Sequence, residues 1–420
     1  MKKIIVFLVM ATTIFAQKLT LDQAIDLSIK NSKEIKVSSL ESSKAKYDVR
    51  IAFKKALPSV VYNGQYFRHE FDSPMKKYGK SIDAKGGYVQ GITISQPLFM
   101  GGTILGGIKY ASEYKKVANL SLLAEKRDIR LETIRLYSNI VKNRKNLGVL
   151  KSSKEDLDER YKKQKEQLKL RLITKSDLLK TEYNILDLDS KIIAIKNLIT
   201  VDKERLSIKM GMKSDDIQVV DFEVPKNLSR NIDLEKDLKN AKEKSINALI
   251  SRAGLRMAEA EKSVARGQML PKVSAFGTYG VDQERRKFNE SYEDATWRGG
   301  VQVTWNIFDF GQDYDSYKKA DINKEQKILK EKMTQDNISV NLTDAYLNLV
   351  KMEKERSSRK RALEAATEDY KMDSQKYTAG LISTIDFLNS QTKLRDAKTK
   401  YNEIVVDYLY AFEKYRSILI

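Results

Sequence analysis

The chain of 420 residues carries 77 Lys and Arg against 57 Asp and Glu, a formal net charge of +20, with one His, no Cys, five Pro and 19 Gly. Disulfide frameworks, zinc–thiolate sites and cysteine nucleophiles are excluded, and a histidine triad or multi-histidine metal centre would have to be built from His69 alone. High charge with little glycine or proline points to long solvated helices in place of a compact, many-turned domain.

In chain order, Met1-Lys2-Lys3, the apolar run Ile4 to Met10 and the small residue Ala16 predict a secretory signal peptide over 1–16. The run is too short to cross a bilayer and no later stretch reaches about 20 apolar residues, so no helical membrane span is expected after export. Losing this segment removes two lysines and no acid, leaving +18. That charge is interspersed with acids, as in Lys151 to Lys169, which argues for solvated helix faces and against a nucleic-acid partner.

A helix is predicted from about Leu21 to Ala56, ended by Pro58, which can neither extend it nor donate an amide. Strands follow over about 59–71 and 87–99, joined by a polar loop from Arg68 to Lys85. Residues 103–210 contain no proline and predict two long helices turning near Arg171-Leu172. A helix over roughly 105–170 would be on the order of 100 Å long. After a linker over 211–230 the plan recurs: a helix from about Leu234 to Met269 ended by Pro271, strands over about 273–282 and 297–308 joined by the loop Gln283 to Thr296, and a helical pair over 312–420 turning at Ala379-Gly380-Leu381. The long segments show seams of alternating three and four spacing, namely Ile185, Leu188, Ile192, Ile195, Ile199 and Leu206; Leu394, Ala397, Tyr401, Ile404, Tyr408 and Ala411; and Leu147, Leu150, Leu157, Tyr161 and Leu168. The strands alternate by twos instead. Val301, Val303, Trp305 and Ile307 are apolar between polar neighbours, Tyr88, Ile92 and Ile94 alternate with Gly91, Thr93 and Ser95, and Val273, Ala275, Tyr279 and Val281 alternate with Ser274, Thr278 and Asp282, although Phe276 breaks the rule.

The two halves are copies, 17–210 and 231–420. Thr133 to Lys142 aligns with Leu342 to Lys351 at an offset of 209, as do Tyr161-Lys162 with Tyr370-Lys371, Leu172-Ile173-Thr174 with Leu381-Ile382-Ser383, and Asp177-Leu178-Leu179 with Asp386-Phe387-Leu388. Leu57-Pro58-Ser59-Val60 aligns with Leu270-Pro271-Lys272-Val273 at 213. The fold class expected is therefore an α+β membrane protein with an internally duplicated helix-strand-strand-helix-helix plan. Strands facing lipid need every backbone amide paired, so they occur in closed barrels, and four strands are too few to close one. Several copies must share a barrel; two would supply eight strands and three would supply twelve.

Leu19-Thr20-Leu21-Asp22-Gln23-Ala24-Ile25, the two Leu-Pro-x-Val junctions, Gln96-Pro97-Leu98-Phe99-Met100-Gly101-Gly102, Ile307-Phe308-Asp309-Phe310-Gly311 and Tyr377-Thr378-Ala379-Gly380-Leu381-Ile382, in this order and duplicated, resemble the TolC family of outer-membrane efflux proteins. The resemblance implies a homotrimer whose twelve-stranded transmembrane β-barrel continues into a long periplasmic coiled-coil barrel of helices. The partners it implies are outer-membrane lipid, a periplasmic adaptor (membrane fusion) protein and an inner-membrane transporter, in tripartite efflux or type I secretion. It implies no cofactor and no enzyme activity.

By the same resemblance the hairpin tips close the tunnel. Asp386 matches an aperture aspartate, and Asp177, Ser176 and Tyr377 match members of the network that holds the gate shut. The second aperture aspartate is Asn389 here, and the network arginine falls at Ile382, so a different lock is expected. A simpler reading of both aspartates stands beside this one: Thr174-Lys175-Ser176-Asp177 and Ser383-Thr384-Ile385-Asp386 fit helix-capping patterns. Leu172, Gly380 and Leu381 are candidate adaptor contacts, with Gly380 also suited simply to the turn. Gly101, Gly102 and Gly311 suit the bend from strand to helix, and Trp297, Trp305, Tyr88 and Phe308 suit either membrane interfaces or ordinary packing. A periplasmic coiled-coil adaptor or interaction protein is the competing class, but it needs no pair of membrane-like hairpins. No phosphate loop, carboxylate pair or nucleophile motif argues for an enzyme.

Overall fold

The computed structural model describes residues 17–68, 75–77, 80–82, 86–285 and 295–420, with side chains over 18–66, 89–281 and 295–420. The expected signal peptide, His69, the side chain of Tyr88 and much of the two strand-joining loops lie outside the described residues.

The chain begins with β1 (Gln17–Leu19), α1 (Leu21–Asn31) and α2 (Lys33–Lys54), then β2 (Ser59–Arg68), the short pair β3 (Met75–Lys77) and β4 (Lys80–Ile82), and β5 (Gly86–Met100). Helices α3 (Thr103–Lys169) and α4 (Lys175–Met210) complete the first copy. After β6 (Ile217–Val219) the second copy comprises α5 (Leu234–Lys244), α6 (Ile246–Gln268), β7 (Lys272–Arg285), β8 (Thr296–Thr304), α7 (Gln312–Thr378) and α8 (Thr384–Leu419). The chain divides into two units. One contains residues up to Ser39 with Ser121–Ala248 and Gln335–Ile420; the other contains Leu40–Leu120 and Leu249–Thr334.

The opening helix of each copy differs from expectation in the same way. Neither 21–56 nor 234–269 is continuous; each breaks at a serine, Ser32 and Ser245, which are equivalent at the offset of 213. Both serines are buried, and each hydroxyl accepts the backbone N–H three residues on, from Ile35 and Ala248, at 3.4 Å. A serine inside a helical pattern offers the backbone this local alternative, so it can end one helix and cap the next.

The second unit holds an antiparallel sheet of order β2-β5-β7-β8. Register places Val60, Tyr62 and Tyr66 on the same face as Ile92, Ile94, Tyr279, Trp297, Val301 and Val303, and all of these are exposed. The opposite face carries Ser59, Asn63, Gln65, Thr93, Ser95, Ser274, Thr278, Arg298 and Gln302, with Thr93 and Thr278 hydroxyls 3.2 Å apart. Phe276 lies on this polar face opposite Gly300, its ring beside the glycine. β8 stops at Thr304, short of the 308 expected, because its partner β7 begins at Lys272, directly opposite Thr304; Trp305 Nε1 donates to the Met269 carbonyl at 3.1 Å instead. Among the described residues the outer sides of β2 and β8 have no strand partner.

In the first unit the predicted seams pack. Leu150, Leu157, Leu188 and Ile192 share a buried cluster with Phe387 and Leu388, and Leu349, Tyr408 and Ala411 share another with Val224. The segment expected as a linker also supplies β6, which pairs in parallel with β1 and joins Leu136, Tyr137 and Ile140 in a core. The Tyr137 hydroxyl lies 2.6 Å from the Leu19 carbonyl and 2.7 Å from that of Val220, donating to one of them, and accepts the Val220 N–H at 2.9 Å. Among the described residues no helix is long and apolar enough to cross a membrane.

Candidate functional site

Both hairpin tips are built by one backbone device. At the end of α3, Arg171 adopts φ 59°, its N–H donates to Leu168 O at 3.0 Å, and Leu172 N–H donates to Gln167 O at 2.9 Å. At the end of α7, Gly380 adopts φ 74°, its N–H donates to Tyr377 O at 3.1 Å, and Leu381 N–H donates to Lys376 O at 2.9 Å. These are paired Schellman closures at equivalent positions. Each next helix starts with the same cap. Thr174 Oγ1 accepts the Asp177 N–H and donates to Asp177 Oδ2 at 2.7 Å; Ser383 Oγ does the same for Asp386, with Oδ2 at 2.6 Å. The capping reading of the two aspartates therefore describes their contacts within one chain. The Thr174 hydroxyl, followed by its backbone N–H and by Lys180, holds the Asp177 carboxyl below the usual carboxylate range.

The candidate residues fall in different places. Asp177, Tyr377, Leu172 and Gly380 line a cleft of about 750 Å³ formed by the α3–α4 turn and the α7–α8 turn. Ser176 and Asn389 line a separate, mainly apolar groove of about 660 Å³ with Leu179, Tyr183 and Ile385. Asp386 and Leu381 are exposed and line neither.

Tyr377 does not meet Asp177 among its hydrogen-bond partners. Its hydroxyl accepts from Gln164 Nε2 at 2.9 Å and lies 3.3 Å from Thr384 Oγ1, while its ring stacks on Phe387 at 4.9 Å. Arg160 covers both rings. Arg160 and Gln164 are the site residues that the motif comparison missed. One signal pointed to Gln164: it continues the Leu150, Leu157 seam at a spacing of seven, a polar residue where the pattern calls for an apolar one.

At the other end of α3 and α7, the strand-to-helix bends also share a backbone form. Gly101 and Gly102 adopt φ 63° and 85°; their equivalents Phe310 and Gly311 adopt 55° and 86°. Gly101 has no room for a side chain, since a Cβ would collide with the Gly267 carbonyl, whereas Phe310 is 92% exposed.

Residues 238–418 match the family model for outer membrane efflux proteins. The fold is similar to that of the CmeC outer membrane channel of Campylobacter jejuni, at 18% identity and a TM-score of 0.84 over 95% of this chain and 85% of that one. It is also similar to the outer membrane protein VceC of Vibrio cholerae, at 12% identity and 0.80 over 95% of each chain, and to the open state of the MtrE outer membrane channel of Neisseria gonorrhoeae, at 13% and 0.77 over 97% and 93%. No curated protein matches the sequence. The fold is that of the outer-membrane channels it matches, as the TolC resemblance implies.

Proposed function

We infer that the protein is the outer-membrane channel of a tripartite efflux system. The observation that carries this reading is the four-stranded sheet with an exposed apolar face and two outer edges, on β2 and β8, that no strand among the described residues pairs. In lipid such edges must be paired, and identical neighbours supply the pairing by joining β8 of one copy to β2 of the next. Three copies give a twelve-stranded barrel, the number that the family resemblance favours. Exposed stripes on the helices extend the contact between copies: Val37, Leu40, Tyr47 and Ile51 on α2, and Leu179, Tyr183, Leu186 and Ile193 on α4. A periplasmic adaptor would leave the apolar sheet face without an occupant.

The conduit carries no chemistry of its own; an inner-membrane transporter supplies the energy, and a periplasmic adaptor meets the tips at Leu172, Gly380 and Leu381. Asp386, Asp177, Ser176, Tyr377 and Asn389 form the region that narrows the periplasmic entrance. Extraction of outer membranes with detergent should yield a particle of three chains by light scattering and discrete conductance steps in planar bilayers. A stable, water-soluble single subunit would overturn the reading. Asp386→Ala should change the conductance or its block by multivalent cations, and an unchanged trace would remove that residue from the entrance.

A further inference from the structure

Under the channel reading, something must hold the two hairpin tips together, and the position of the family-type arginine is occupied by Ile382. The structure supplies a cation from another helix. The Arg160 guanidinium carbon of α3 lies 3.9 Å from the Phe387 ring centroid and 5.6 Å from that of Tyr377, and its Nη2 donates to Ser374 Oγ at 3.1 Å. One turn along α3, Gln164 donates to the Tyr377 hydroxyl. Phe387 and Gln164 are 1% and 3% exposed, while Arg160 and Tyr377 are half-buried where they border the cleft. The repeat shows that the arrangement is not inherited from either copy. Arg160 and Gln164 are equivalent to Asp369 and Asp373, while Tyr377 and Phe387 are equivalent to Leu168 and Leu178. The first copy supplies the cation and amide, and the second supplies both rings.

We propose that Arg160, Gln164, Tyr377 and Phe387 form a cation–aromatic latch between the hairpins, and that the closed entrance requires it. Arg160 is a positioning residue: it acts by holding Phe387 and Tyr377, and it touches no cargo. Two ring faces and a hydroxyl hold it, with the Asp156 carboxylate one turn back on α3, and the close ring contacts are weakened by salt less than an exposed ion pair is. Closure set by this latch persists at high ionic strength.

The test is planar-bilayer recording of purified channel, wild type against Arg160→Ala and Phe387→Leu, in low and in about 1 M KCl. Each variant is expected to raise the open fraction about tenfold, and the double variant no further than either alone. Since the natural chain lacks cysteine, Arg160→Cys with Ser374→Cys can be bridged by a reversible bis-thiosulfonate reagent. Bridging should return the open fraction to the wild-type level, and reduction should raise it again, a response that general destabilisation would not give. Wild-type traces from intact, folded variants, or additive effects in the double variant, would overturn the latch and leave the channel reading standing. An absence of conductance in the wild type itself would overturn both.

Discussion

The two hairpin tips share a backbone and differ in nearly everything that their side chains present. Residues 160–180 contain eight Lys and Arg against two acids; the equivalent 369–389 contain two against three. Yet the turns have the same left-handed residue, the same pair of closing hydrogen bonds and the same hydroxyl-aspartate cap. Closures and caps satisfy amides and carbonyls that no distant residue can reach, so they persist in both copies. Side chains beyond them are free to diverge, and here they diverge into complementary halves of one contact. A duplicated chain can thus break its own symmetry at little cost to its fold.

The sharpest way to break that comparison lies at the strand-to-helix bends, where the two copies share φ but not space. Gly101→Ala should cost about 3 kcal/mol, combining the left-handed penalty with the collision against Gly267. Phe310→Gly should stabilise by up to about 1 kcal/mol, because the backbone penalty is relieved and the exposed ring gives up only its contact with Phe308 at 4.7 Å between centroids. The yield and thermal midpoint of detergent-purified protein report both. A tolerated Gly101→Ala would show that the Gly101–Gly267 approach is not a constraint.

The paired tyrosines Tyr137 and Tyr346 give a smaller effect. Tyr137 ties β1 to the segment after β6 with its hydroxyl, whereas the ring of Tyr346 packs on Tyr415 at 6.2 Å between centroids. Tyr137→Phe should cost about 1.5 kcal/mol, since it removes the hydroxyl's hydrogen bonds while the Val220 N–H and the Leu19 carbonyl keep each other at 3.0 Å, and Tyr346→Phe should stay within about 0.5 kcal/mol. Equal losses in thermal midpoint would mean that the two copies use the hydroxyl alike.

How far the sequence could be read follows from the range of each interaction. Alternation in Val301, Val303 and their neighbours is a local period, and it assigned the apolar face of the sheet before any register was known. The tip turns were legible from Gly380 and from the offset of 209. Arg171 was harder to read as a turn residue, because a cation in the left-handed region carries no compositional sign. The breaks at Ser32 and Ser245 were hidden, since a serine is compatible with either a continuous helix or a cap until its surroundings are known. β1 and β6, at three residues each, are too short to show a period and depend on a partner some 200 residues away. Arg160 was hidden for the same reason: only the fold brings α3 against the rings of the second hairpin.

Exchanging the tip residues should have a modest effect with opposite signs. Arg171→Gly should raise stability by about 1 kcal/mol, because the left-handed position no longer carries a Cβ, and Gly380→Ala should lower it by a similar amount. Both changes should appear as shifts of the thermal midpoint with the conductance of the assembled channel preserved. A loss of stability in Arg171→Gly would show that the arginine side chain outweighs its backbone strain.

The smallest effect concerns an ion cluster that one copy has and the other lacks. Lys209 Nζ donates to Glu34 Oε1 at 2.6 Å and lies 3.0 Å from Glu132 Oε2, whereas the equivalent positions hold Ile418, Asn247 and Asn341. The Lys209 hydrogen bond, with that of Ser32 next, holds the Glu34 carboxyl down to about 2 from an ordinary 4.5. A lowered carboxylate pKa stabilises the folded state above the ordinary value, and that contribution disappears as the pH falls from about 4.5 through 2. Because Glu34 keeps 45% of its side chain exposed, solvent screening limits the contribution to about 0.5 kcal/mol, and added salt should reduce it further. Thermal midpoints of the wild type and Lys209→Met should therefore differ most near neutral pH in low salt and converge as Glu34 protonates. A difference that stays constant from about pH 7 to pH 2 would assign the loss to the packing of the lysine stem, the role that Ile418 fills in the second copy.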